Sequence, residues 1–474
     1  MQRRVILILS TLVVLVVGFA LLWFFVLKPV PKLIFDKTVT KSEQTLIENA
    51  MQESQFKLTA NLDVLASYQT KLPDSDNNII LSIKVPTSDF YDTRTSVARL
   101  DIDADKSITM IDVNDLTAEK KLLALDDVYY LDDLNGGAIF RVVFFIGNDG
   151  AKFTNAIADN FKIPLKNDSL SLIQTGTTAL TRGMIIKLNA VGDPNHFSAK
   201  IGEFLSDADY THTSNETSFV EGCSSTSGMK FCSPPAMLET LKSSGINIIE
   251  LTGNHNNDFG RSANAETINT YRELGWGTFG GGLNDIDAAK PFEINSKKSK
   301  ISMLGYNVPC DAIAGPDSAG ANCYDYDDMV SSITVAKAEN RFVIVDFQYY
   351  ECYAYPDGYV EYPQCDAPID GQTELFRGAI DAGADMVVGV SAHQPQTFEL
   401  YGGKPIYYGL GNLYFDQVDW PGTKRGLVLK HYFLNGKYAQ TKITPIEYDN
   451  NLQPKLMSKE GAKWMIERLL DSRP

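Results

Sequence analysis

The sequence is short of positive charge. Its 43 Lys and Arg residues face 59 Asp and Glu residues, which gives a formal net charge of −16 at pH 7. Proteins that bind nucleic acid need a basic face, so this composition excludes nucleic acid as the main partner. The same charge repels anionic polymers at long range unless a local basic group intervenes.

Charged residues and proline are absent from one long apolar run, Val5 to Leu27, which directly follows Arg3 and Arg4. As a helix rising about 1.5 Å per residue it would span roughly 34 Å, enough for a bilayer core. A cleaved signal peptide has a shorter apolar region of about 7–15 residues. We therefore expect an uncleaved transmembrane anchor over residues 1–28, followed by a short stalk over residues 29–40.

Cysteine is absent before residue 223, and no Cys-x-x-Cys motif occurs, which disfavours a cysteine-based zinc site. The cysteines that do occur fall into three local pairs: Cys223 with Cys232, Cys310 with Cys323, and Cys352 with Cys365. An even number of cysteines after an export segment is typical of disulfides in an oxidising compartment. Six free buried thiols are the alternative, and six cysteines allow 15 pairings. We expect a single-pass protein of the cell membrane, with a cytoplasmic N-terminus and an extracytoplasmic bulk.

Residues 41–170 contain no histidine and no cysteine, and their carboxylates are scattered on turns, so the sequence indicates no catalytic constellation there. Helical spacing of apolar residues lies within 41–65, and a second helix is predicted at 151–161. The short β-type runs between them predict strands at 79–86, 96–103, 107–113, 128–133 and 138–147. We interpret residues 41–170 as a mixed α/β domain of unknown role, whose alternation of elements would also suit a solute-binding lobe.

Residues 171–474 alternate strand and helix patterns, which predicts a layered α/β fold. Strands are predicted at 169–178, 246–252, 300–306, 342–347 and 386–390, and the segment PPAMLETLKSS predicts a helix that begins at proline and ends before Gly245. Ligands of such sheets gather at the carboxyl ends of the strands.

Polar residues follow several of these strands, and together they predict one site rather than five coincidences. The sharpest segment is GNHNNDFG, residues 253–260, although Asn, Asp and Gly also favour a simple hydrogen-bonded turn. The other segments are Asn215-Glu216 with His212 upstream, residues 347–353 (FQYYECY), residues 389–393 (GVSAH) and residues 409–417 (GLGNLYFDQ).

These segments and their order resemble the CapA family of bacterial capsule (poly-γ-glutamate) synthesis proteins. PPAMLETLKSSGINIIELTGNHNNDFG is similar to the helix–strand–loop block of the family. DAGADMVVGVSAHQPQTFELYGGKPIYYGLGNLYFDQ is similar to its C-terminal block. The resemblance covers about residues 172–450. It implies a calcineurin-like, metallophosphatase-type four-layer αββα sandwich.

The sequence departs from the family pattern at three candidate metal ligands. Thr177 stands where the family has Asp, Gln348 stands where it has the His of His-Trp-Gly, and Ser391 stands where it has the first His of a pair. A two-metal phosphoesterase needs several carboxylate and imidazole ligands around two ions. The departures therefore argue against a complete dinuclear centre; one divalent ion (zinc, manganese or iron), or none, is expected.

The resemblance assigns provisional roles to the remaining polar residues. The predicted metal ligands are Glu216, Asn254, His255 and His393. Glu351 and His393 are the candidate catalytic residues. The candidate substrate-binding residues are Arg182, Asn412 and Gln348.

Three functions follow as hypotheses. The first is a membrane-anchored accessory protein in the synthesis or export of a surface polymer of the poly-γ-glutamate type, with the polymer or its assembly machinery as partner. The second is a metal-dependent hydrolase of phosphate ester or amide bonds with a degenerate site. The third is a solute receptor that binds its ligand through the N-terminal domain.

Overall fold

The computed structural model describes residues 30–72, 75–161, 169–225, 228–352 and 365–474. Within these ranges, every helix is too short or too polar to cross a bilayer. The transmembrane anchor predicted over residues 1–28 lies outside the described residues.

Twenty-six strands are formed by the described residues. In chain order they are β1 (Leu33–Phe35), β2 (Leu62–Gln69), β3 (Asn78–Asp89), β4 (Ser96–Val97), β5 (Thr109–Asp112), β6 (Lys120–Leu122), β7 (Ala124–Leu125), β8 (Ile139–Ile146), β9 (Ser169–Thr178), β10 (Tyr210–Asn215), β11 (Ser218–Phe219), β12 (Cys232–Ser233), β13 (Ile248–Glu250), β14 (Gly277–Phe279), β15 (Gly281–Gly282), β16 (Phe292–Ser296), β17 (Ser299–Asn307), β18 (Gly320–Ala321), β19 (Phe342–Gln348), β20 (Met386–Val390), β21 (Phe398–Tyr401), β22 (Lys404–Tyr407), β23 (Asn412–Tyr414), β24 (Arg425–Leu434), β25 (Lys437–Tyr448) and β26 (Pro454–Leu456).

Helices alternate with these strands. The α-helices among the described residues are α1 (Lys41–Ser54), α2 (Gly150–Ile157), α3 (Gly183–Val191), α4 (Gly202–Ser206), α5 (Leu238–Ser243), α6 (Arg261–Glu273), α7 (Asp285–Ala288), α8 (Tyr326–Ala338), α9 (Gln372–Asp381) and α10 (Lys459–Asp471). Short 3₁₀ turns lie at Arg99–Asp101, Val113–Asp115, Ala158–Asn160, Pro194–His196 and Pro235–Met237.

The contacts divide the chain into two units. The first comprises residues up to 84 together with 135–163, and the second comprises 85–134 together with 164–474. These units do not coincide with the predicted domains, 41–170 and 171–474. The difference arises because residues 85–134 contact distant parts of the second unit: the Leu400 amide donates to the Tyr91 hydroxyl at 3.0 Å, and Asp132 pairs with Lys430 at 3.2 Å.

The first unit is a small sheet covered by two helices. Strands β1 and β2 are parallel, and β2, β8 and residues 78–84 of β3 are antiparallel neighbours. Helix α1 begins at a reciprocal cap in which Thr40 and Glu43 bond each other's backbone amides. Its buried Ile47 and Ala50 pack against Val64 and the aromatic residues of β8 and α2. The mixed α/β character predicted for this part of the chain is confirmed.

The second unit contains two large sheets. Sheet I has eight strands: β14, β13, β10, β9 and β23 run parallel, and β24, β25 and β26 add antiparallel strands. Sheet II has six strands, of which β17, β19, β20 and β22 run parallel. Parallel strands that are buried on both faces have nearly continuous apolar sequences, and Phe342–Phe347 is an example.

Three apolar clusters arrange the second unit in four layers. Side chains of sheet I (Leu172, Leu429) meet side chains of sheet II (Met303, Val388) in the central cluster. The outer face of sheet I packs on α3, α4, α5 and α6, and the outer face of sheet II packs on α8 and α9. The order is therefore helix, sheet, sheet, helix, as expected for an αββα sandwich.

Two predicted strands are wrong. Residues 128–133 form a turn-rich loop, since Asp126 and Asp127 adopt positive φ values of 51° and 65° that end the pairing of β7. The aromatic Tyr129 packs on Tyr432 from this loop. Residues 96–103 form a two-residue strand and then a 3₁₀ turn at Arg99–Asp101. For residues 128–133, packing against a distant residue outweighs local β propensity.

The three cysteine pairs are disulfides, Cys223–Cys232, Cys310–Cys323 and Cys352–Cys365. All six thiols are therefore paired with the nearest cysteine along the chain, and no free cysteine remains in any described part of the protein. Disulfides persist in oxidising compartments.

Replacement of Gly176 by alanine should destabilise the second unit. A Cβ atom at this position would lie 1.9 Å from the Gly411 carbonyl oxygen, which accepts the Thr177 amide at 2.9 Å. We expect the Gly176→Ala variant to lose at least about 2 kcal/mol in its free energy of unfolding. Gly378→Ala is the matched control, because nothing lies within 4 Å of its Cβ position in α9, and it should be neutral or gain up to about 1 kcal/mol. Chemical denaturation measures both, and equal effects would contradict the argument.

Candidate functional site at the carboxyl ends of the strands

The carboxyl ends of the parallel strands in both sheets meet at one edge of the second unit. Asn215 ends β10 and is followed by Glu216, and the Gly-Asn-His loop follows β13. From sheet II, Gln348 ends β19, and Ser391 to His393 follow β20. The structure thus brings together most of the residues that the sequence singles out.

Gln348 links the two sheets at this edge. Its amide nitrogen donates to Ser391 Oγ at 2.8 Å, to Asn254 Oδ1 at 3.3 Å and to Glu216 Oε1 at 3.4 Å. Two of these acceptors follow strands of sheet I and one follows a strand of sheet II. A neutral N–H donor therefore occupies the position between the oxygen atoms.

Glu216 is fully buried, and its second carboxylate oxygen has no hydrogen-bond partner among the described residues. Burial raises the pKa of this carboxyl group, and the nearby His393 and His255 oppose the increase. An unpaired buried carboxylate is costly, so the group favours its protonated form more than an exposed glutamate does.

His393 is held between an amide and a carboxylate. Its Nδ1 lies 3.0 Å from Asn412 Oδ1, and its Nε2 lies 3.8 Å from Glu351 Oε1. Burial alone would lower the pKa of this imidazole, but the Glu351 carboxylate and the charge of Glu216 outweigh it and raise the pKa. Ser391 and His393 both have positive φ values, 76° and 56°. Such backbone conformations of non-glycine residues concentrate at functional sites.

His255 is oriented by a carboxylate three residues along the same loop. Its Nδ1 lies 2.7 Å from Asp258 Oδ2, and the Phe231 amide donates to the same oxygen at 2.8 Å. The Phe231 ring lies 4.1 Å from the imidazole, centroid to centroid. This arrangement leaves Nε2 of His255 as the atom available to a ligand.

Arg182 is connected to His255 and His393 through two aromatic rings. Its guanidinium pairs with Asp416 and lies over the rings of Phe231 and Phe415, at 4.6 and 5.0 Å. Phe415 in turn lies 5.2 Å from His393. Asp416 also accepts the Gly183 amide at 2.8 Å, which fixes the start of α3 and the position of Arg182.

A cleft opens beside Arg182. Its volume is about 610 Å³, and its walls include Arg182, Gln417 and Trp420 together with the carboxylates of Asp416 and Asp419. Gln417 accepts a hydrogen bond from Asn412 at 3.3 Å, so the cleft adjoins the Asn412–His393 pair. A cleft of this size is within the range of small-molecule and oligomer sites.

The predicted ligands do not form a compact metal centre. Among the described residues, one group of three His, Cys, Asp or Glu side chains has ligand atoms within 4.8 Å of one another, and it is His212, Glu250 and Asp346. Glu216, His255 and His393 form no such group, and Gln348 presents a donor to the oxygens between them. The arrangement at the strand ends does not fit a dinuclear metal centre, and the metal-binding roles of these residues stay predictions.

Some residues that shape the site were not identified from the sequence. Asp258 lies in the recognised GNHNNDFG segment, three residues after His255, and that spacing could have identified it. Asp416 lies in the recognised segment 409–417, but its pairing with Arg182 has no local signal. Phe231 lies in none of the recognised segments.

A family model described as "Bacterial capsule synthesis protein PGA_cap" matches residues 171–417. The chain belongs to this family. The matched segment contains every residue to which the sequence assigned a role, and it begins and ends within the second unit. The resemblance to the CapA family is thereby confirmed.

Two relatives from Bacillus are each similar to about half of the chain. "Capsule biosynthesis protein CapA" of Bacillus anthracis is 26% identical over 239 residues, which cover 49% of this chain and 55% of the relative. "PGA biosynthesis protein CapA" of Bacillus subtilis (strain 168) is 25% identical over 229 residues, covering 48% and 57%. The chain thus spans about half the length of the curated relatives it matches.

Solved structures give weaker likenesses. A candidate 5'-nucleotidase from Staphylococcus aureus in complex with alpha-ketoglutarate aligns with a TM-score of 0.34 at 11% identity, covering 64% of this chain and 58% of that one. TT1561 of Thermus thermophilus aligns with a TM-score of 0.29 at 9% identity, covering 55% and 93%.

His393 should titrate above the ordinary imidazole value of about 6.5 in metal-free protein. A raised folded-state pKa stabilises the fold below the unfolded-state pKa, and this contribution is lost as pH rises through the folded-state pKa. NMR of the imidazole nitrogens can follow all five histidines. Glu351→Gln should lower the pKa of His393 and weaken the loss of stability above about pH 6.5. An unchanged His393 pKa in that variant would contradict the assigned cause.

Proposed function

We propose that this chain acts in the synthesis or export of a capsule-type anionic polymer, and that it does so by binding the polymer at the Arg182 cleft. Membership of the capsule synthesis family supports the process, and the Bacillus relatives are named for capsule and PGA biosynthesis. The cleft supports the mode of action, because it offers a cation, an amide and an aromatic face in one groove.

The chemistry of the cleft suits a chain that carries carboxylates and amides. A guanidinium binds carboxylates through paired N–H donors, and Gln417 can bond to a peptide-like backbone. Trp420 offers an apolar surface to the methylene groups that lie between the carboxylates and amides of the polymer. Asp416 already pairs with Arg182, so a polymer carboxylate would have to compete for the guanidinium. We therefore expect weak, salt-sensitive binding.

The four-layer unit is best interpreted as a metallophosphatase-type scaffold whose metal centre is degenerate. Thr177, Gln348 and Ser391 stand at positions where the resemblance implies metal ligands. Gln348 instead donates its amide to the surrounding oxygens. This substitution supports binding over metal-dependent hydrolysis.

We further propose that the protein is anchored in the cell membrane by residues 1–28, with the bulk of the chain outside the cytoplasm. The three disulfides support this orientation. An alkaline phosphatase fused after Pro474, which is active only outside the cytoplasm, should be active in intact cells. A cytoplasmic β-galactosidase fusion at the same residue should be inactive, and the reverse pattern would contradict the orientation.

Polymer binding can be measured with the full chain in lipid nanodiscs and poly-γ-glutamate of defined length. Replacement of Arg182 by glutamine should weaken binding about tenfold, because a charged hydrogen bond contributes about 1.5–3 kcal/mol. The matched control is Arg272→Gln, which also removes an Arg–Asp pair, that with Asp287, but lies on α6 outside the cleft. Equal binding by Arg182→Gln and wild type, or equal weakening in both variants, would reject the cleft as the binding site.

The hydrolase hypothesis remains as a second candidate because of how the two imidazoles are held. Nδ1 of His255 faces Asp258 and Nδ1 of His393 faces Asn412, which is the outer-shell pattern of metal-binding histidines. The length of the poly-γ-glutamate after incubation with the protein tests this hypothesis. Shortening of the polymer that requires added Mn²⁺ or Zn²⁺, and that is absent with the His393→Ala variant, would favour hydrolysis. The receptor hypothesis for residues 41–170 stays a prediction.

A further inference from the structure

A group of three ionisable side chains lies in the interior of the second unit, between sheets I and II. His212 belongs to β10, Glu250 to β13 and Asp346 to β19, and all three are fully buried. Each precedes a residue of the candidate site along the chain: Glu216 follows β10, Asn254 follows β13, and Gln348 ends β19. The group is therefore a deeper layer, separate from the residues that line the edge.

The distances in this group are too long for hydrogen bonds. His212 Nε2 lies 3.6 Å from Glu250 Oε2 and 3.6 Å from Asp346 Oδ2, and the three ligand atoms lie within 4.8 Å of one another. Ligand atoms bound tetrahedrally to one ion at about 2.1 Å are separated by about 3.4 Å. The observed separations are thus close to those of ligands around a shared ion.

Several atoms of the group have no hydrogen-bond partner among the described residues. They are both imidazole nitrogens of His212, Oε2 of Glu250 and Oδ1 of Asp346. Buried polar atoms are nearly always satisfied, because an unpaired one costs about 1–3 kcal/mol or more when charged. Orphaned atoms on three side chains that face one another indicate a missing common partner.

The charges of the group are also unbalanced. Among the described residues, the ion-pair contacts of Glu250 and Asp346 are with His212, and neither carboxylate pairs with a Lys or Arg. One divalent cation would neutralise both carboxylates.

Protonation alone accounts for the group less well. An imidazolium beside one protonated carboxyl group would also be neutral, but both N–H groups of His212 would lack an acceptor at hydrogen-bond distance among the described residues. With a metal ion on Nε2, a single N–H group at Nδ1 is left without a partner.

A surrounding set of residues orients the carboxylates. Gln174 donates to Asp346 Oδ2 at 2.9 Å, and its own oxygen lies 3.0 Å from His431 Nε2. His431 Nδ1 lies 2.7 Å from Thr441 Oγ1, and Thr252 donates to Glu250 Oε1. Outer-shell partners of this kind fix the orientation of metal ligands.

We propose that His212, Glu250 and Asp346 bind one divalent metal ion, of the zinc or manganese class, that cross-links the two sheets from inside. One imidazole and two carboxylates suit these ions. The ligands lie in the packed interior, so the ion has a structural role and takes no part in polymer binding. This proposal goes beyond the proposed function and does not depend on it.

The first test is the metal content of the full chain, purified in detergent, stripped with chelator and reloaded with Zn²⁺ or Mn²⁺ alone. We expect about one equivalent that resists dialysis, together with a melting temperature several degrees above that of the stripped protein. Asp346→Asn should lose this equivalent. Asp385→Asn, which removes a carboxylate that pairs with Lys337 outside the group, should keep it.

The His255→Ala, His393→Ala double variant separates this site from the strand-end site. Retention of the equivalent in the double variant supports the interior site, and its loss there with retention in Asp346→Asn overturns the proposal. Absence of any tightly held metal after reloading overturns it as well.

If the variants do not fold, the proposal can still be tested with the wild-type protein. An anomalous difference map from crystals grown with Zn²⁺ should contain a peak about 2.0–2.2 Å from His212 Nε2. A peak at the strand-end loops alone, or no peak, would reject the interior site, whatever the polymer-binding experiment gives.

Discussion

The apolar contact between sheets I and II determines which side chains of the second unit can meet. Leu172 and Leu429 of sheet I pack on Met303 and Val388 of sheet II, and the parallel strands of both sheets then end at one edge. Because a strand exposes alternate residues on opposite faces, this packing also fixes which residues point between the sheets. Gln348 can bond to Glu216 and Asn254 only because that register is held.

The same contact makes the interior group costly. A layer that contains leucine, methionine and valine also contains His212, Glu250 and Asp346, which would be expected to weaken the sheets' association if their charges stayed uncompensated. A bound ion would turn this cost into a cross-link between β10, β13 and β19. The stability of the sandwich and the position of the strand-end loops would then be linked, since those loops leave the same three strands.

The strand-end loops can be recognised from local sequence patterns, whereas the long-range contacts that join residues 85–134 to the second unit cannot. A polar loop directly after an apolar strand is a local pattern, so the segments around Glu216, Asn254 and His393 could be recognised without the fold. The pairing of Arg182 with Asp416 joins residues 234 positions apart, and no local pattern encodes it. The strand prediction for residues 128–133 is wrong for a related reason, because Tyr129 packs against Tyr432, which is distant in the sequence.

The protonation of the site bears on how so acidic a protein could meet a polyanion. Burial raises the pKa of Glu216 and so favours its neutral form, while the contact with the Glu351 carboxylate outweighs burial at His393, raises its pKa and favours its cationic form. Both shifts reduce the negative charge at the strand ends. The strand ends are then less anionic than the net charge of −16 indicates, although Asp419 still adds a negative charge to the wall of the Arg182 cleft, where Asp416 pairs with Arg182. Under the proposed function, a carboxylate polymer would therefore meet less electrostatic repulsion at the strand ends than a uniform spread of the net charge predicts.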